Sequence, residues 1–188
     1  MVSAFQKITV IKSGEMHVST LKPEVMVSSN ISSGVVITLY DPARRIGALA
    51  HALLPDSRLA TDGANNAEPA LGKYVDQMVP TLLQEFMNAD GNPKDSIVSL
   101  IGGAQLFNFG GGGGNILNVG ARNVIAAQTM LQQFGLAVDY LDTGGNKTRT
   151  VHFQMENGDV RVQLVGGKEY ILQSAGQDSK TSQDGKNS

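Results

Sequence analysis

The 188-residue chain contains no cysteine and no tryptophan. The first absence removes three chemistries together: a disulfide framework, a zinc–thiolate centre and a cysteine nucleophile. Charge is scarce too, at 17% of residues, and 15 basic against 17 acidic side chains leave a net charge of −2. No block of Lys or Arg stands out. A nucleic-acid partner leaves a basic stripe, so that class is excluded, and polybasic attachment to a membrane surface goes with it. No apolar run approaches the roughly 20 residues that span a bilayer. The start, MVSAFQKITVIKSGEMHV, lacks an apolar stretch behind a basic one, the pattern of a secretory signal. A cytoplasmic protein that is not membrane-inserted is expected. With three histidines in the chain and no cluster of further ligands near any of them, neither a metal nor another cofactor is expected.

What is present suits a single domain with a sizeable core: 41% of residues are hydrophobic. QKITVIKSGEMHVST alternates apolar and polar residues and predicts an early strand and hairpin. Residues 25–27 (VMV) and 35–40 (VVITLY) are short β-rich runs, the second stopped by the turn opener Asp41–Pro42. RIGALAHALLP reads as another strand, ended by Pro55. From Tyr74 to about Asn88 apolar residues recur at helical spacing, with Pro80 predicting a kink or a later start. SIVSLIGG is strand-like. Val119, Val124, Ala127, Met130 and Leu131 share the face of a second helix over Asn118–Phe134, with Gly135 at its C′ position. AVDYLD, RTVHFQM and VRVQLV are three more strands, the last two joined by the hairpin signal ENGD. The absence of βαβαβ alternation predicts an α+β fold of layered β-sheets flanked by helices. Residues 1–172 form the expected domain, and 173–188, poor in apolar residues, an expected disordered tail.

Few side chains invite chemistry. The run Gly110–Gly114 lacks the Lys and Ser/Thr that a phosphate loop requires, and reads as a connector. His17 and His152 lie in alternating strands beside polar neighbours, which a surface or edge position explains. His51 differs, because it sits among small and apolar residues in GALAHALLP; a hydrogen-bonded core histidine and a catalytic base are both consistent with that setting. Four serines in VSSNISSG could supply a nucleophile only with a base, and His51 is the candidate in the same unit. The plainer reading is that small residues let the chain turn there.

GVVITLYDPARRIGALAHALLP, GGAQLF, NVGARN and DYLDTGGNKTRTVHF, in that order over roughly residues 5–165, resemble the CheD family of chemoreceptor glutamine deamidases. The resemblance implies a cysteine-hydrolase fold in which a thiolate activated by histidine attacks the side-chain amide of a receptor glutamine; ammonia leaves and water releases the acid. It also implies partners: the cytoplasmic helices of methyl-accepting chemoreceptors and a CheC-type phosphatase. The family histidine falls on His51 and the orienting threonine on Ser28. The family nucleophile ends an LGSC-like stretch before a valine; here that stretch is ISSG, which puts Gly34 at the position of the lost nucleophile. Family glycines have become Asn30 and Ser32. Drift of this loop beside intact framework motifs fits a pseudoenzyme, a protein that kept the fold and lost or altered the reaction. Ser33 would face away from the lost position in extended chain, and Ser32 would be displaced by about 6–7 Å. An amide hydrolase using His51 with a serine or an activated water is the alternative. Phe107 and Phe109, beside the glycine run, are the expected partner contact, with burial in the core as the competing reading.

Overall fold

A strand that is apolar on both faces needs cover on both sides, and VVITLY is such a run. The computed structural model, which describes residues 6–59, 72–105 and 118–175, supplies that cover. The strands are β1 (Lys7–Val10), β2 (Met16–Ser19), β3 (Glu24–Ile31), β4 (Val35–Asp41), β5 (Ile46–Ala52), β6 (Ile97–Gly102), β7 (Tyr140–Thr143), β8 (Arg149–Gln154), β9 (Val160–Leu164) and β10 (Glu169–Gln173), with helices α1 (Val75–Asn88) and α2 (Val119–Gln133). They form two five-stranded sheets, one ordered β1-β3-β8-β9-β10 and the other β2-β5-β4-β6-β7. The sheets face each other, and both helices lie on the outer face of the second. The layered α+β architecture read from the sequence is the one observed. Among the described residues no helix is long and apolar enough to cross a membrane.

The period of two divides the residues of β4 between two cores. Val35, Ile37 and Leu39 pack toward the helices with Val79, Leu82, Phe86 and Leu131. Val36 and Tyr40 pack between the sheets with Met26, Val151 and Phe153. The sheets approach so closely that a Cβ at Gly47 of β5 would lie 2.3 Å from the Met155 sulfur. Thus β4 and β5 are buried along their whole length, and the side chains of β5 that point into the inter-sheet layer are shielded from water.

Several local expectations are met, and others are corrected. Asn118 caps α2, accepting from the Ala121 N–H at 2.9 Å, and Gly135 has φ 73° just past its end. α1 begins at Val75 and continues through Pro80 without a later start. The ENGD turn joins antiparallel β8 and β9, with Gly158 at φ 76°. The early hairpin does not form. β1 pairs in parallel with β3 in one sheet, whereas β2 pairs antiparallel with β5 in the other. The junction is secured by Glu24, whose buried carboxylate meets Lys7 Nζ at 3.0 Å, His17 Nε2 at 3.3 Å and the Thr9 hydroxyl. The strand β10 was not anticipated. Its last residue, Gln173, is fully buried and bonds Ser99 and the Gly158 carbonyl.

Candidate functional site

The chain crosses from one sheet to the other between β3 and β4, through a bend at Ser32–Gly34. Just before it, Asn30 takes φ 57° and the β3–β8 register slips between Ser28 and Ile31. This irregularity ends the pairing and turns the chain toward the second sheet. The carbonyls of Ser32 and Gly34 then accept from the amides of Ala104 and Gly103, at 2.6 and 2.8 Å. Those residues follow β6 and are themselves braced by the DTGG segment: the Gly145 carbonyl accepts from Gln105 N–H and Gly144 N–H donates to the Gly102 carbonyl. Arg149, buried and paired with Asp142 at 2.9 Å, holds that segment by donating to the carbonyls of Gly144 and Lys147.

His51 lies on β5 opposite Val36 of β4 and is 1% exposed. Its ring reaches across the inter-sheet layer to Ser28 of β3, with Nδ1 2.9 Å from the serine Oγ. The hydroxyl has one proton, and it donates that proton to the Ile11 carbonyl at 2.9 Å. The contact with the ring therefore requires an Nδ1–H, which leaves the lone pair on Nε2. Nε2 points to Gly34: a Cβ built there would lie 3.0 Å from Nε2 and 2.7 Å from the Ala52 carbonyl oxygen. Burial, with no charged partner among the described residues to offset it, lowers the ring's pKa from 6.5 to about 4. At neutral pH the group is an uncharged imidazole held in one tautomer, with its accepting nitrogen facing residue 34.

The structure thus brings Ser28, Gly34 and His51 together. Ser28 meets the ring on the nitrogen remote from residue 34 and is fully buried, a geometry that orients an imidazole rather than attacks a substrate. Ser32 and Ser33 occupy a bend, not the extended chain from which their facings were read. His17 and His152 stand apart, half-buried beside Glu24 and Glu169 respectively. Phe107, Phe109 and the run Gly110–Gly114 lie outside the described residues. One contributor was missed. Asn123 of α2 is completely buried, and its Nδ2 donates to the carbonyls of Ser33 and Leu53, both at 2.8 Å. The signal was available as a polar residue inside the stripe Gly120, Asn123, Ala127 and Leu131 that α2 buries, since a buried amide must find partners.

Comparison with known proteins follows the same lines. The family model described as CheD chemotactic sensory transduction matches residues 53–164. That span begins two residues past His51, so β3, the bend and β5, which carry Ser28, Gly34 and His51, precede it. A chemoreceptor glutamine deamidase CheD from Thermotoga maritima is 37% identical over 162 residues, covering 86% of this chain and 95% of the relative. A probable chemoreceptor glutamine deamidase CheD from Caldanaerobacter subterraneus subsp. tengcongensis is 36% identical over 153 residues, 81% of this chain and 91% of its own. A third, from Clostridium novyi, is 34% identical over 146 residues, 78% and 86% of the two chains. With this agreement along most of its length, the chain belongs to the CheD family.

Proposed function

We propose that this chain is a chemotaxis protein that has kept the CheD scaffold and lost the cysteine chemistry, and that it regulates by occupancy. Its partners in this reading are the cytoplasmic helices of methyl-accepting chemoreceptors or a CheC-type phosphatase. The observation that carries the proposal is Gly34 beside Nε2 of His51 in a chain with no thiol at all. Acyl transfer from a glutamine side chain needs an atom that attacks the amide carbon, and a glycine has none to offer. Ser28 does not substitute for it: its proton is committed to a backbone carbonyl, and it sits on the wrong ring nitrogen. Phe107 and Phe109 are proposed as partner anchors on sequence alone.

The runner-up is an amide hydrolase in which His51 activates a water. The uncharged Nε2 acceptor favours it, although a base with pKa about 4 has little affinity for the proton that an attacking water must give up. One experiment separates the two. A chemoreceptor cytoplasmic fragment is incubated with the natural chain, and glutamine-to-glutamate conversion is followed by mass spectrometry, with binding followed in parallel. The proposal expects binding without conversion. Conversion by the natural chain that disappears in His51→Ala would establish the hydrolase instead. Absence of both binding and conversion would remove chemoreceptors as the partner.

A further inference from the structure

The ladder between β4 and β5 closes at the pair Val35–Ala52. Beyond it the two segments part, Ser33 and Gly34 entering the bend and Leu53 leaving toward Pro55. No further rung of that sheet holds them at a fixed distance, yet the gap between them is where residue 34 meets His51. Asn123 spans it. One amide nitrogen with two protons, placed between two carbonyl oxygens at 2.8 Å each, serves as an extra rung supplied from a helix. The orientation of the amide is unambiguous, because the reverse would set Oδ1 against both carbonyls. Oδ1 itself is buried and has no protein partner among the described residues, so the bonds to Ser33 and Leu53 are what hold this side chain in the core. On its opposite side the bend is held by the Gly103 and Ala104 amides. Those residues also pack tightly on α2, where a Cβ at Gly120 would lie 2.5 Å from the Gly103 carbonyl oxygen. One helix therefore braces the bend from two directions.

We infer that Asn123 is a positioning residue of this site: it sets the gap between the Ser32–Gly34 bend and the end of β5, and through it the distance and shielding between residue 34 and Nε2 of His51. The inference rests on the proposed reading that residue 34 and His51 are the two halves of the site, and it does not depend on whether any reaction survives. Asn123→Leu keeps nearly the same volume, removes both donors and brings no charge that would itself move the His51 midpoint. The bend then moves away from β5 and water reaches the ring, while the Ser28 contact on Nδ1 stays.

The test is nuclear magnetic resonance on the full chain. In the natural protein the Asn123 side-chain amide protons are expected to exchange with solvent at least tenfold more slowly than those of exposed Gln132. In Asn123→Leu the His51 ring is expected to titrate at least one pH unit higher than in the natural chain, because water then reaches it. Leu131→Ala, which destabilises the same buried stripe without touching the bend, should leave that midpoint in place. Loss of stability alone would not move the His51 midpoint, so this readout separates positioning from packing. An unshifted midpoint in a folded Asn123→Leu chain, or an equal shift in Leu131→Ala, would overturn the inference. Where Asn123→Leu does not fold, exchange in the natural chain decides, and fast exchange of the Asn123 amide overturns it. Glutamine conversion by the natural chain would instead defeat the proposed function and leave these measurements standing.

Discussion

Replacing Gly34 by cysteine is expected to yield a folded chain about 1–3 kcal/mol less stable than the natural one, the cost of forcing extra atoms into a filled site. The variant should also show glutamine conversion, whereas under the proposed function the natural chain should show none. The stability cost comes from contact, not conformation, since Gly34 is absent from the residues with left-handed backbone. A Cβ there lies 2.7 Å from the Ala52 carbonyl oxygen and 3.0 Å from His51 Nε2. The first is a backbone atom in the ladder with β4 and cannot swing aside, so the bend must give. Gly34→Ala should carry a similar loss in a urea titration without any conversion, which isolates the Cβ from the thiol. In the cysteine variant the thiol is the only one in the chain, so its alkylation reports directly on its ionisation. The thiol starts beside a ring that resists protonation, and the two groups titrate as a pair: a thiolate raises the His51 midpoint as the imidazolium lowers that of the thiol. Because a displacement of about 1 Å can cost on the order of a hundredfold in rate, conversion is expected to fall roughly that far below a cysteine-bearing relative. A Gly34→Ala chain as stable as the natural one would show that the site is not closed against a side chain. Conversion by Gly34→Ala would show that the chemistry does not come from the thiol.

The legibility of this molecule in its sequence follows the range of the interactions involved. VVITLY and RIGALAHA declare themselves because burial on both faces leaves an unbroken apolar run. The helices declare themselves through apolar spacing and, for α2, through Gly135 just past its end. Partners are another matter. Alternation in KITV and MHVS identifies strands without saying which strand each will join, and Glu24, which ties both of them to β3, is distant from Lys7 and Thr9 in the chain. The strand EYILQ escaped because it is an edge strand with three of its five residues exposed; its alternation is blurred, and only Leu172 and Gln173 at its end reach the core. The site was legible in the same uneven way. The apolar setting of His51 marks it as unusual from composition alone, and Ser28 and Gly34 enter through the family resemblance. The hydrogen bond between Ser28 and His51 joins strands of different sheets, so no local period predicts it. Asn123 donates to carbonyls 90 and 70 residues away, a relation that exists only after both sheets and α2 have packed.

Acidification from pH 6.5 to about 4 is expected to cost the natural chain roughly 3 kcal/mol of stability that a His51→Asn chain does not lose. Burial holds the folded ring neutral down to about pH 4, whereas in the unfolded chain it takes up a proton near the ordinary value of about 6.5. Between those two values the unfolded chain binds more protons, so stability rises with pH across the window. The contribution is complete above pH 6.5 and exhausted at about pH 4. The carboxylates of Glu24, Asp41 and Asp142 lose their contributions at the acid end, because each is held below its usual value: burial opposes ionisation, and the surrounding donors outweigh it. Asparagine at position 51 can place an amide proton near the position of Nδ1–H and keep Ser28 bonded, so the comparison removes the titration more than the contact. Urea midpoints at pH 7, 5.5 and 4.5 measure the slope in both chains, and equal slopes would mean that the ring is not neutral in the folded state. The slope also bears on the proposed loss of the cysteine reaction. A histidine opposite a thiolate gains an anion that stabilises its protonated form, and the raised midpoint shortens the window over which protons are taken up on unfolding. The Gly34→Cys chain should therefore show a shallower acid slope than Gly34→Ala wherever its thiolate is populated. The steep slope of the natural chain is then the thermodynamic mark of an imidazole left without its anionic partner.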